Sequence, residues 1–369
     1  MFLKYCSQAV GQTSGTRRIH REASEVGVFW DTMTLDPIQL TRRLIDIESI
    51  TYNEGAVGAF LAEFLAGRNF AVETTPVDQP ENKGERFNVY AGVVKQTPDV
   101  VLSTHLDTVP PFIPSSEDDL NIYGRGACDA KGIIAAQIAA AERLREDGVK
   151  VGLLFVVGEE RDSGGAKLAN TQPKGSRFLI NGEPTDNRLA IASKGALRVL
   201  IRAKGKMAHS AYPELGESAI HKLVEALDRV LAIPMPVTEG VGPCNLNIGL
   251  LEGGRATNVI ADHAEAQMLV RLVGPSEPVR TAILDAVGDL AEVHFTLDLP
   301  FIRMRQLDGL PTMVAAFTTD IPALLNWGEP VLLGPGSIHV AHTPHEKLAK
   351  RELLEAVDLY VQIARRLVG

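Results

Sequence analysis

Residues 98–104 read PDVVLST, and this apolar run stops at His105 and Asp107. Three further stretches end in the same way. Residues 151–157 (VGLLFVV) run into Glu159 and Glu160, residues 177–180 (RFLI) into Glu183, and residues 330–333 (PVLL) into a Gly-Pro-Gly loop and then His342. Short apolar runs rich in Val, Leu and Ile predict buried parallel strands. In open α/β sheets, sites form in the crevice beyond the carboxyl ends of the strands. The four runs therefore deliver His, Asp and Glu to one edge of one sheet, which is how a metal site is assembled from residues far apart in sequence.

The pattern around these runs supports that reading. Residues 56–67 and 132–147 read as helices; in the second, Ile133, Ile134, Ile138 and Leu144 punctuate an Ala-rich stretch that Gly148 closes. Residues 71–77 and 87–94 read as strands. Strands alternating with helices predict an α/β fold with a mostly parallel sheet and helices on both faces. The texture changes near Lys194. Residues 196–203 alternate apolar and polar, as a half-exposed antiparallel strand does. A helix at 217–231, strands at 244–251 and 264–273 and a helix at 278–290 complete a β-α-β-β-α-β order, the ferredoxin-like arrangement. Near Pro300 the earlier style returns. Residues 33–193 and 301–369 are thus expected to form one discontinuous domain, with residues 194–300 inserted into it. Residues 1–32 show no clear periodicity and no sustained apolar core of a secretory signal, and are expected to be a poorly ordered extension. The fold is expected to open near Met33, because Pro37 directly after Asp36 is a good helix start and residues 38–47 carry helical spacing.

Composition sets outer limits. The chain has 369 residues, 45% of them hydrophobic, and a mean hydropathy of +0.03, which fits a globular protein with room for two domains. No apolar run is long enough to span a bilayer. A net charge of −9 and a pI near 5.6 argue against a nucleic-acid or anionic-membrane partner. Cys6, Cys128 and Cys244 are too few and too scattered for a disulfide framework, so a reducing cytoplasm is the simpler expectation.

The polar residues at the ends of the runs each have two readings. His105 and Asp107 stand two apart, on one side of an extended segment. They are either a surface pair or a metal ligand with a partner that fixes its tautomer. In residues 123–132 (YGRGACDAKG), Asp129 precedes a helix, as an N-cap or as a carboxylate bridging two metal ions. Residues 158–165 (GEERDSGG) place two acids side by side; one can ligate a metal while the other takes a proton from water. Glu183 sits in a turn locked by Pro184. Residues 334–348 (GPGSIHVAHTPHEKL) hold His339, His342 and His345, and spacing does not choose among them.

Taken together, HLDTVP, GRGACDAKG, GEE, GEPT and a late Ala-His-x-Pro segment, in that order, resemble metallopeptidase family 20, which includes acetylornithine deacetylase, succinyl-diaminopimelate desuccinylase, glutamate carboxypeptidase and several dipeptidases. The resemblance covers nearly everything after Met33. It implies a catalytic di-zinc domain with an inserted dimerisation or lid domain. His105, Asp129 and Glu183 would hold one zinc, and Asp129, Glu160 and His342 the other; cobalt or manganese can share such ligands. Glu159 would be the general base, with Asp107 supporting His105. His209, in residues 205–213 (GKMAHSAYP), would reach the active site of the partner in a homodimer. Asn258, in residues 253–260 (GGRATNVI), would help bind substrate, and Arg271 would pair with a substrate carboxylate, a task its fork suits. The Asp129–Ala130 peptide would be cis. The family usually has Asn or Asp before the Glu of the late segment, where this chain has His345; His339 lies outside the matched positions. The expected activity is hydrolysis of the amide of an N-acyl amino acid by a metal-activated water, as in acetylornithine deacetylase, with a dipeptidase or carboxypeptidase as the alternative.

Overall fold

The computed structural model describes residues 17–18, 35–78 and 84–369. The expectations placed on residues 1–32 and on Met33 fall outside these, except that Arg17 and Arg18 pair antiparallel with Thr74 and Glu73. The chain divides into two compact units. One comprises residues 1–184, 326–328 and 335–369, the other residues 185–325 and 329–334.

In the first unit, helix α1 (Pro37–Ile45) opens at an Asp36 cap, whose carboxylate accepts the backbone N–H of Ile38 at 2.9 Å. Helix α2 (Gly55–Gly67) precedes strands β1 (Ala71–Pro76), β2 (Phe87–Gly92) and β3 (Val100–His105). Helix α3 (Gly132–Glu146), strand β4 (Val151–Val156), helix α4 (Gly164–Ala169) and strand β5 (Phe178–Asn181) follow. The strand order is β1-β2-β4-β3-β5. β1, β2 and β4 meet antiparallel. The centre is parallel: Val100 pairs with Val151 on β4 and with Phe178 on β5. Every residue of β3 and β4 is buried, which is why their apolar residues run consecutively and do not alternate. Among the helices of this unit, α3 packs on β3 and β4, and the C-terminal helix of residues 350–368 packs against α3.

The second unit contains strands β6 (Leu189–Ser193) and β7 (Gly195–Lys204), helix α5 (Ala219–Leu231), strands β8 (Asn245–Gly253) and β9 (His263–Leu272), helix α6 (Glu277–Val287) and strand β10 (Glu292–Leu299). β7 to β10 form an antiparallel sheet in the order β8-β9-β7-β10, the ferredoxin-like arrangement. Leu197, Val199 and Ile201 of β7 alternate inward with Ala266, Met268 and Val270 of β9, and Leu223 of α5 and Ile283 of α6 cover them. Strands β11 (Thr312–Ala315) and β12 (Glu329–Leu332) both pair with β6. β12 meets β6 antiparallel, with Leu332 opposite Ala190. Helix α7 (Lys350–Val368) ends the chain. No helix among the described residues is long and apolar enough to cross a membrane.

Candidate metal centre

Parallel pairing fixes where the candidate ligands emerge. β3, β4 and β5 run in one direction, so His105 at the end of β3, Glu159 and Glu160 after β4, and Glu183 after β5 share one sheet edge. Asp129 lies in the turn that leads into α3, where its peptide with Ala130 is cis, as the resemblance implies. His342 lies in the loop before α7, with φ of 62°.

These residues meet. His105 Nε2 is 2.9 Å from Asp129 Oδ1, and His342 Nε2 is 3.2 Å from Asp129 Oδ2 and 3.0 Å from Glu160 Oε1. One carboxylate therefore faces two imidazoles, one oxygen to each, which is the disposition of a bridging group and not of a helix cap. His105, Asp129 and Glu160 bring one ligand atom each to within 4.8 Å of one another. Glu183 is buried nearby and acts on His105 through its charge.

Asp107 is anchored more heavily than the tautomer-fixing expectation suggests. Its carboxylate accepts Thr51 Oγ1–H at 2.8 Å and the backbone N–H groups of Gly158, Glu159 and Glu160 at 3.0, 3.1 and 3.2 Å. His105 Nδ1 lies 2.9 Å from the Asp107 carbonyl and 3.5 Å from its carboxylate. The carbonyl is thus the nearer partner of the ring, while the carboxylate holds the turn that bears the acid pair.

The electrostatics follow from packing carboxylates around two imidazoles. Burial pulls the His105 pKa down, but Asp107 and Asp129 outweigh it and hold the ring well above its ordinary value. Asp129 and Glu160 raise His342 to about 10. Burial raises Glu160, whereas the two histidines bring Asp129 below its ordinary value despite burial. Such a site draws positive charge into a cluster of acids. A divalent cation among the same donors would supply that charge, and imidazole nitrogen with carboxylate oxygen suits zinc, cobalt or manganese. The residues fit the metal that the resemblance implies.

His339 and His345 are exposed on the loop that carries His342; the metal-binding group found among the described residues comprises His105, Asp129 and Glu160, and leaves out Glu183 and all three histidines of that loop. His209, Asn258 and Arg271 belong to the second unit. His209 and Asn258 are brought together there: His209 bridges to Val259, and the Asn258 carbonyl accepts the Ser210 N–H at 3.0 Å. His209 Nδ1 accepts the Ala211 N–H at 3.1 Å, which leaves the ring proton on Nε2, free to be donated. Arg271 is half-buried on β9, and burial lowers its pKa.

Sequence reasoning does not single out Glu346. Its Oε1 accepts the N–H groups of Gly126, Cys128 and Asp129 at 3.0, 3.2 and 3.2 Å, and its Oε2 accepts Arg125 Nη1–H at 2.6 Å. The loop that presents Asp129 is therefore wrapped around an acid from the segment that presents His342. The signal available is an acid closing the late segment beside apolar Leu348.

The sequence model of peptidase family M20/M25/M40 matches residues 101–366. A probable carboxypeptidase of Aspergillus fumigatus is 39% identical over 90% of this chain and 87% of its own length. Among solved structures, aminopeptidase PepT from Bacillus cereus superposes with a TM-score of 0.75 at 22% identity, over 91% of this chain and all of that one. The YXEP protein of Bacillus subtilis, described as a dinuclear metal binding peptidase, does so with a TM-score of 0.64 at 18% identity, over 90% of this chain and 97% of that one. With the family model and a relative near two-fifths identity both spanning most of the sequence, the chain belongs to the M20/M25/M40 family of peptidases.

Proposed function

We propose that this protein hydrolyses the amide bond on the amino side of a terminal amino acid that carries a free carboxylate. The observation that carries the proposal is the Asp129 carboxylate held between His105 and His342, with Glu160 on the second histidine. In this reading His105, Asp129 and Glu183 would hold one zinc, and Asp129, Glu160 and His342 would hold a second. When bound, the metals supply Lewis acidity toward the amide carbonyl and lower the pKa of water.

The chain's own residues do the rest. Glu159 takes the proton of the attacking water and passes it to the leaving amine nitrogen. Asp107 fixes the backbone from which Glu159 and Glu160 project. Arg271 pairs with the substrate carboxylate through its planar fork, and Asn258 orients the acyl side. His209, with its proton on Nε2, donates to the tetrahedral oxyanion.

His209 acts in this reading on the partner's site within a homodimer formed by the ferredoxin-like sheets. Two features of the second unit support that. β8 is an edge strand whose Leu250 and Leu251 are more than 60% exposed, and α5 exposes Val224 and Leu231. An exposed apolar edge strand is an aggregation hazard unless covered, and pairing with a second copy covers it.

Two substrate classes share the reacting group. The name of the Aspergillus relative favours a peptide on the acyl side, which makes the enzyme a carboxypeptidase or dipeptidase. The HLDTVP form of the first motif favours a simple acyl group, as in an acetylornithine deacetylase-like deacylase. Zinc-reconstituted protein assayed on N-acetyl and N-succinyl amino acids, dipeptides and their C-terminal amides separates the two. Activity lost on amidation supports the carboxylate requirement; equal turnover of amidated substrates would overturn it.

A further inference from the structure

The acid pair sits on a loop whose footing is polar and buried, and the roles above use only the Asp107 part of that footing. We propose that Arg86 and Asn88 are positioning residues for the reaction: they hold residues 157–165 so that Glu159 and Glu160 present correctly. The proposal rests on the roles given above to those two acids.

Arg86 and Asn88 stand two apart at the start of β2 and therefore on one side of it. Both are 3% exposed. Asn88 clamps the two ends of the loop. Its Nδ2 donates to the Gly165 carbonyl at 2.8 Å, and its Oδ1 accepts the Val157 N–H at 3.2 Å. The same two residues are joined directly by Gly165 N–H to the Val157 carbonyl at 2.9 Å. A Cβ on Gly165 would lie 2.4 Å from Asn88 Oδ1, so the approach requires glycine there.

Arg86 faces the middle of the loop through its charge and its packing. Its guanidinium lies 3.7 Å from Asp162 Oδ1 and 3.8 Å from Glu54 Oε1, and 4.8 Å above the Tyr52 ring. Its Nε donates to the Asp78 carbonyl at 3.2 Å. A Cβ on Gly158 would lie 3.1 Å from Arg86 Nη1, and one on Gly164 2.6 Å from Nη2. Asp162 in turn accepts the Gly164 N–H at 2.8 Å and the Tyr52 hydroxyl at 3.3 Å. Gly158, Glu159 and Glu160 are meanwhile held from another direction by the Asp107 carboxylate. The loop is thus fixed at its ends, its middle and its acid-bearing turn.

A buried arginine and asparagine are a poor choice for stability alone, because their desolvation offsets much of what their contacts return. Asn88 is a good choice for fixing one loop conformation, since each of the two loop backbone groups it meets has only one satisfactory position, and Arg86 adds its charge beside the Asp162 side chain. Altering residues that orient metal ligands from behind typically changes metal affinity or activity by about 10–100-fold.

The test uses zinc-reconstituted full chain. Asn88→Asp keeps the acceptor for the Val157 N–H and removes the donor to the Gly165 carbonyl; Arg86→Lys keeps the charge and loses the fork, and Arg86→Gln loses both. Zinc affinity is read by equilibrium dialysis, and kcat and KM on the preferred substrate of the panel above. The expected result is a fall in kcat per zinc-loaded site and in zinc affinity of about 10–100-fold, with KM nearly unchanged and Arg86→Lys retaining more activity than Arg86→Gln. A lower melting temperature with wild-type zinc affinity and wild-type kcat per loaded site would overturn the proposal. Should Asn88→Asp fail to fold, Arg86→Lys decides by the same two readouts. Glu159→Gln serves as the control. If it is inactive while the Asn88 and Arg86 variants are normal, only the positioning role fails. If it is fully active, the reading of the acid pair fails, and zinc affinity still judges Asn88 and Arg86.

Discussion

Replacing Glu54 by glutamine should change how stability depends on pH, by an amount that the burial of this residue sets. Glu54 is fully buried at the start of α2, beside Arg86 and within the field of Asp107. Burial first, and Asp107 second, raise its pKa from 4.5 to about 7. In the unfolded chain the carboxyl releases its proton near 4.5; in the folded chain it keeps the proton to about 7. Between these values the native state binds more protons than the unfolded state, so stability falls as pH rises through the window and the loss is complete above it. At about 1.4 kcal/mol per unit of pKa difference, integration from pH 5 to pH 8 gives a loss of about 2.5 kcal/mol. Glutamine cannot ionise. The stability difference between Glu54→Gln and the parent should therefore move by about 2.5 kcal/mol in favour of the variant between pH 5 and pH 8. Any pH-independent change, such as altered packing of the side chain, cancels in that difference. The assay is urea unfolding in the presence of a chelator, followed by tryptophan fluorescence; Trp327 is buried in the first unit and reports on it. Parallel stability curves for the two proteins would refute the buried, proton-holding state of Glu54.

Further outcomes follow from the site. Glu159→Gln should keep its metal and lose roughly 10²–10⁴-fold in activity, the usual cost of a lost general base; unchanged turnover by metal-loaded variant would remove Glu159 from that role. Glu346→Gln leaves the Arg125 guanidinium, 2% exposed, without its carboxylate, and breaking such a buried pair costs about 3–5 kcal/mol. Adding Arg125→Met should recover part of that loss in chemical denaturation, and a double variant no more stable than the single one would contradict the pairing argument. His209→Ala should lose about 10²–10³-fold in turnover with its zinc retained. Mixed with Glu159→Gln under conditions of subunit exchange, it should regain up to about a quarter of parental activity, since half the dimers are mixed and each has one complete site; no recovery would mean that His209 does not act across a dimer.

Much of the fold can be read from local pattern because burial and period are local properties. The apolar residues of β3 and β4 run consecutively because both faces are covered. β7 and β9 alternate because one face of their sheet is covered by α5 and α6, and the period-2 pattern records that. The Asp36-Pro37 start and the Gly148 stop are chemical punctuation and fall where the sequence places them. Strand direction is not local. β1 and β2 meet their neighbours antiparallel although β3 to β5 are parallel, because direction is decided by how the connections cross and not by side chains.

The candidate site divides along the same line. His105, Asp129, Glu160, Glu183 and His342 are legible because ligand types are few and each stands at the end of an apolar run or in a glycine-bracketed turn. Their supports are not, because a support is recognised only by what it touches. Glu346 is an ordinary acid in the sequence and becomes an anchor only when three N–H groups of a loop more than two hundred residues away converge on one of its oxygens. Asn88 is an ordinary strand polar residue until the ends of the 157–165 loop close on its amide. Asp107 draws attention by its spacing from His105, yet most of its bonds go to the backbone beneath Glu159 and Glu160. The ligands determine which chemistry the site can perform. The buried polar residues behind them determine whether the ligands stand where that chemistry needs them, and their effect should be sought in metal affinity and kcat before it is sought in substrate binding.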